Sequence, residues 1–90
     1  MFPRNRRPAN PGEILLNEFL IPRGISKDDL AKKLRLPVRQ ISTLIEGKRC
    51  VTAETALLLA KELKTAPELW LSLQNAVDLY VAKKNLHLNN

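Results

Sequence analysis

Apolar residues recur along this chain at helical spacing in five blocks, parted by short stretches of proline, glycine and capping residues. The pattern predicts five α-helices and no sheet. Pro11-Gly12-Glu13 opens the first, which should run to about Ile21 with Leu15, Leu16, Phe19 and Leu20 as a broad apolar face. Pro22 and Gly24 should stop it. Ser26 followed by Asp29 is a capping-box variant that opens the second, where Leu30, Ala31 and Leu34 form one apolar stripe. Arg35-Leu36-Pro37 breaks that helix, because the residue before a proline is pushed out of the α region. The third runs from about Pro37 to Glu46 and ends at Gly47, a natural left-handed cap.

Thr52 can cap a fourth helix reaching about Leu63. Its Ala56, Leu57, Leu58, Leu59 and Ala60 are apolar nearly all round, which predicts the central buried helix. Thr65-Ala66-Pro67-Glu68 reads as another capping box and opens a fifth helix, from about Pro67 to Lys84. Leu69, Leu73, Val77 and Tyr80 fall near one stripe, while Trp70, Leu71, Ala76 and Leu79 add apolar surface at other angles. The surplus predicts either deep burial or a second contact, with another copy or a different protein. Residues 1–10 lack periodicity and read as a flexible basic arm, whose Arg4, Arg6 and Arg7 could reach a phosphate or a minor groove. Residues 11–84 read as one domain and 85–90 as a frayed tail.

Composition sharpens this picture in three ways. With 44% hydrophobic but only 4% aromatic residues, the core must be aliphatic, which suits packed helices. A single cysteine, Cys50, excludes an internal disulfide and fits a reducing cytoplasm, and no apolar run approaches the ~20 residues of a membrane span. The net charge is +6, and residues 23–49, with eight basic and three acidic side chains, hold +5 of it. A polyanion is the natural partner of such a patch, nucleic acid ahead of membrane.

No catalytic constellation can be assembled. His87 is the only histidine and lies in the tail; Asp28-Asp29 sits in a first helical turn, where carboxylates complement the helix dipole. There is no glycine-rich phosphate loop and no metal-ligand cluster, so neither an enzyme, a cofactor nor a small-molecule substrate is expected.

The third helix carries the candidate chemistry. At about 100° per residue, Ile41, Leu44 and Ile45 share one side with Val38 at its margin, and Arg39, Ser42, Thr43 and Glu46 share the other, flanked by Gln40. An apolar side that docks and a hydrogen-bonding side that faces out is what a major-groove helix needs, although an ordinary amphipathic surface helix has the same wheel. Arg39 can contact guanine in bidentate fashion and Gln40 adenine, and Thr43 or Val38 can offer methyl groups to thymine.

PGEIL at 11–15, EFL at 18–20, GIS at 24–26, GKR at 47–49, TAETALLLAKEL at 52–63 and PELWLSLQ at 67–74 together resemble the HigA antitoxins. These are also called virulence-associated protein I, VapI, and belong to the lambda-repressor-like, Xre-type helix-turn-helix proteins. The resemblance covers roughly residues 10–80. It implies an all-α, five-helix DNA-binding domain that forms a homodimer on an inverted-repeat operator of double-stranded DNA. It also implies binding of a RelE-like, mRNA-cleaving toxin and repression of the operon encoding both proteins. Carried over by position, Val38, Arg39, Gln40 and Thr43 would face bases, and Ser42, Lys48 and Arg49 the phosphate backbone. Three positions depart from the pattern: Pro37 where a Ser or Thr cap is common, Arg35 in place of a turn glycine, and Glu46 in place of asparagine. Two other functions fit the same residues: a toxin-binding inhibitor with the helix-turn-helix as scaffold, or a regulator without a toxin.

Overall fold

The computed structural model describes residues 7–87. Among them are five helical elements and no strand: α1 over 11–23, α2 Lys27–Leu34, α3 Val38–Ile45, α4 Ala53–Leu63 and α5 Pro67–Asn85. All five elements start as expected, within a residue or two. The first differs in its interior and its end.

α1 is capped by Asn10, the last residue assigned to the arm. Its Oδ1 accepts from the Glu13 N–H at 3.1 Å, and Glu13 Oε1 accepts from the Asn10 N–H at 3.1 Å. This is a reciprocal capping box, and Asn10 is 8% exposed. Asn10 is therefore bound into the start of α1. Arg7 is exposed, and Arg4 and Arg6 lie outside the described residues.

Pro22 does not stop α1, which continues to Arg23 before Gly24 adopts a left-handed cap at φ 65°. A proline inside a helix forfeits one donor and crowds the carbonyl four residues back, here Glu18. The chain answers with a π-helical segment, Leu15–Leu20, in which the Ile21 N–H bonds to the Leu16 carbonyl five residues earlier. Packing gains from the wider turn. In an α-helix, residues five apart point roughly 140° away from each other. The wider turn brings Leu15 and Leu20 back toward one side, and both are fully buried, while Leu16 and Phe19 are half-buried.

Two of the turns use non-glycine residues in the left-handed region: Arg35 at φ 57° and Lys64 at φ 60°. Arg35 thus adopts the conformation that explains why glycine is common at this turn. At the start of α2 the Ser26 Oγ accepts from the Asp29 N–H at 3.0 Å, as predicted.

The core is aliphatic around one tryptophan. Leu15, Leu20, Leu30, Ile41, Leu59, Leu63 and Trp70 are its largest fully buried side chains. α4 is central through Ala56, Leu59, Ala60 and Leu63, but it is not buried all round: Leu57 is 60% exposed and Leu58 half-buried. Trp70, expected to add surface at another angle, instead fills the core. Its indole N–H donates to the Thr65 hydroxyl at 2.8 Å. That contact removes Thr65 from the capping role expected of it, and Ala66 is the N-cap of α5 without a side-chain hydrogen bond. Phe19 lies 5.3 Å from Trp70 between ring centroids, and the Arg23 guanidinium sits over the Phe19 ring, 5.1 Å from its centroid, while reaching the Leu63 carbonyl at 3.4 Å. α5 continues well past this packing, with 81–87 exposed, and ends at Asn85 rather than Lys84. No helix among the described residues is long and apolar enough to cross a membrane.

Candidate nucleic-acid interface

α2, the turn at Arg35–Pro37 and α3 form a helix-turn-helix. α3 is held from behind by Ile41 and Leu44, both buried, and by a close approach to α1. A Cβ built on Gly12 would lie 1.9 Å from the Leu44 carbonyl oxygen and 2.6 Å from Ile45 Cα, both backbone atoms. Only glycine lets the start of α1 seat against the end of α3. Asn10 extends the seat, because its amide lies under Gly47, which closes α3 in the left-handed region at φ 78°.

The outward side of α3 carries the predicted residues. Arg39 and Val38 are exposed, and Gln40, Ser42 and Thr43 are half-buried at its edges. Pro37 takes the N-cap position in extended conformation, one residue before the helix rather than within it. Arg39, Thr43, Lys48 and Arg49 line one open hollow, so two residues expected at bases and two expected at phosphates share a surface. Thr43 organises it. Its hydroxyl lies 3.0 Å from the Arg39 carbonyl and 3.1 Å from that of Gln40, to which it can donate, and it accepts from Arg49 Nε at 3.4 Å. The hydroxyl is thereby committed inward, leaving the methyl as the group Thr43 offers to a partner. Lys48 Nζ lies 3.6 Å from Glu46 Oε1; with both side chains more than half exposed, this pair is weak and open to exchange for a phosphate.

The positive charge is less uniformly free than its place in the sequence implied. Arg23 is held over Phe19, and Lys33 pairs with Glu62 on α4 at 3.6 Å. Lys27, Lys32, Arg35, Arg39, Lys48 and Arg49 are exposed.

Sequence reasoning missed the part that four residues play in building this face. Asn10 and Glu13 carried a readable signal, a capping residue three positions before a glutamate. Gly12 carried none, since its role depends on a helix 32 residues away in the chain. Neither did Gln74, whose side chain reaches from α5 to the loop leaving α3.

Fold and surface define the class: a helix-turn-helix protein whose second helix offers a basic, hydrogen-bonding face to the outside. A family model described as Helix-turn-helix matches residues 16–70. Antitoxin HigA-1 of Vibrio cholerae is 44% identical over 75 residues, which cover 83% of this chain and 70% of that protein. Virulence-associated protein I of Dichelobacter nodosus is 39% identical over 83 residues, 91% of this chain and 77% of that one. The structure of the Pseudomonas aeruginosa antitoxin HigA with the higBA promoter matches with a TM-score of 0.84 at 32% identity, covering 88% of this chain and 86% of that chain. The chain belongs to the Xre-type helix-turn-helix family that includes the HigA antitoxins and VapI.

Proposed function

We propose that this protein is a dimeric, sequence-specific repressor and the antitoxin of a HigBA-type pair: it binds an inverted repeat at its own operon and neutralises a RelE-like, mRNA-cleaving toxin. The observation that carries the DNA-binding half is the open hollow that Arg39 and Thr43 of α3 form with Lys48 and Arg49 of the segment after it, in a family where a relative is seen with promoter DNA. Val38, Arg39, Gln40 and the Thr43 methyl read bases. Ser42, Lys48 and Arg49 hold the backbone. In a dimer the two α3 helices enter successive major grooves about 34–36 Å apart.

A second reading, a toxin-binding inhibitor, is favoured by the apolar side chains left exposed on α5: Leu69, Leu71, Leu79 and Val81. One surface does not exclude the other, and α5 can serve a second copy or a toxin while α3 serves DNA. The family match supports the toxin partner.

Selection of bound duplexes from a random pool, at fixed salt and with wild type beside Arg39→Ala, tests the proposal. An inverted repeat should be enriched by wild type, and Arg39→Ala should lose about 1–3 kcal/mol on it and accept other bases at one position. Equal losses on specific and random DNA would remove Arg39 from base reading. Binding without any enriched sequence that vanishes near physiological salt would leave charge attraction alone and favour the inhibitor.

A further inference from the structure

α3 and α4 are joined by the segment 46–52, which carries Lys48 and Arg49. Near α3 its geometry is set by local bonds: the Gly47 N–H donates to the Leu44 carbonyl at 3.1 Å and the Lys48 N–H to that of Thr43 at 2.9 Å. Beyond Arg49 a distant element takes over. The Val51 N–H donates to Gln74 Oε1, on α5, at 2.9 Å. On its other side Gln74 Nε2 donates to Asp78 Oδ1, one turn along the same helix, at 2.9 Å. This amide orientation is the one that satisfies both neighbours, a backbone donor and a carboxylate acceptor. Asp78 therefore braces Gln74, and Gln74 fixes the Cys50–Val51 peptide plane. Val51's buried side chain anchors the residue in the core, and the hydrogen bond ties its N–H to α5.

We infer that Gln74 is a positioning residue for DNA binding: from the C-terminal helix, braced by Asp78, it sets the path of the loop that presents Lys48 and Arg49 to the phosphate backbone. The inference rests on the DNA-binding reading above. A loop freed at Val51 leaves the base-facing side chains of α3 in place and loosens the backbone contacts, so affinity falls and base preference does not.

Four proteins are compared on the selected duplex and on a random duplex across a salt series: wild type, Gln74→Leu, Gln74→Glu/Asp78→Asn and, as a control, Thr65→Val. The double substitution reverses the polarity of the outer bond, keeps an acceptor for the Val51 N–H, and leaves the net charge unchanged. Gln74→Leu should bind both duplexes about tenfold more weakly, with a salt slope shallower by about one to two. The double variant should return to within about twofold of wild type. Thr65→Val, which weakens the fold at Trp70 without touching the Gln74–Val51 hydrogen bond, serves as the control and should bind DNA as wild type does while folded.

Wild-type affinity in folded Gln74→Leu overturns the inference, and so do losses in Gln74→Leu and Thr65→Val that merely track lost stability. Amide exchange needs no variant: the wild-type Val51 N–H should be protected, and exchange as fast as in an unbonded loop overturns it too. A wild type that binds no duplex removes the DNA-binding reading itself, an outcome distinct from failure of the variants alone.

Discussion

Replacing Gly12 by alanine tests how α3 is held. The added Cβ meets the Leu44 carbonyl oxygen at 1.9 Å and Ile45 Cα at 2.6 Å. Ordinary van der Waals contact begins near 3.4 Å, so the start of α1 and the end of α3 must part by up to about 1.5 Å. No rotamer can relieve the clash, because both obstacles are backbone. Overpacking of this kind costs typically about 1–3 kcal/mol, and backbone on backbone belongs at the upper end. Alanine recovers up to about 1 kcal/mol of helix propensity. A net loss of about 2 kcal/mol is expected, which for a chain of this size lowers Tm by roughly 8–16 °C. The separation also disturbs the Leu44 carbonyl that accepts from Gly47, so operator affinity should fall even where the protein remains folded. Urea unfolding at fixed protein concentration measures the first effect and operator titration the second. A Gly12→Ala protein as stable as wild type would refute the close seating of α1 on α3.

Two further substitutions separate buried from exposed positions. Leu59→Ala on α4 should cost about 2–5 kcal/mol in urea unfolding, whereas Leu57→Ala, at 60% exposure, should change stability by less than about 0.5 kcal/mol. Equal effects would mean that α4 is buried on the wrong side. Thr65→Val strands the buried Trp70 indole N–H and should cost about 1–3 kcal/mol; tryptophan fluorescence during unfolding measures it, and an unchanged midpoint would deny the hydrogen bond its role.

The helix blocks and the apolar side of α3 were legible because each depends on a period shorter than the helix itself. Ile41 and Leu44 are buried and Arg39 is exposed, as a wheel drawn on α3 alone requires. The features that escaped depend on distant partners. Thr65 looked like a cap and became the acceptor for Trp70 because the core needed the indole there. Leu57 looked buried because its neighbours in sequence are apolar, yet exposure depends on which sides α1, α2 and α5 cover. Gly12 and Gln74 act across 32 and 23 residues of chain, distances at which periodicity carries no information. The candidate DNA face was visible as a list of residues; the grouping of Arg39 and Thr43 with Lys48 and Arg49 required the turn at Gly47.

The π-helical segment in α1 also bears on how the chain tolerates change in length. Its wider turn holds one residue more than an α-helix would, and that residue is what lets Leu15 and Leu20 point the same way past Pro22. Deleting one residue between them, Asn17 for instance, would let an unbroken α-helix form, and a helix viewed alone would look improved. In the new register the two leucines are four apart and still share a face. The segment from Asn10 to Leu15 would therefore keep nearly its present direction, because the wider turn already absorbs the extra residue, and Gly12 would stay close to its seat under Leu44. The cost would fall at Pro22, whose ring would again crowd the carbonyl four residues back. A deletion between Leu15 and Leu20 should accordingly be milder than one between Asn10 and Leu15, where no wide turn takes up the change of about 100° in register.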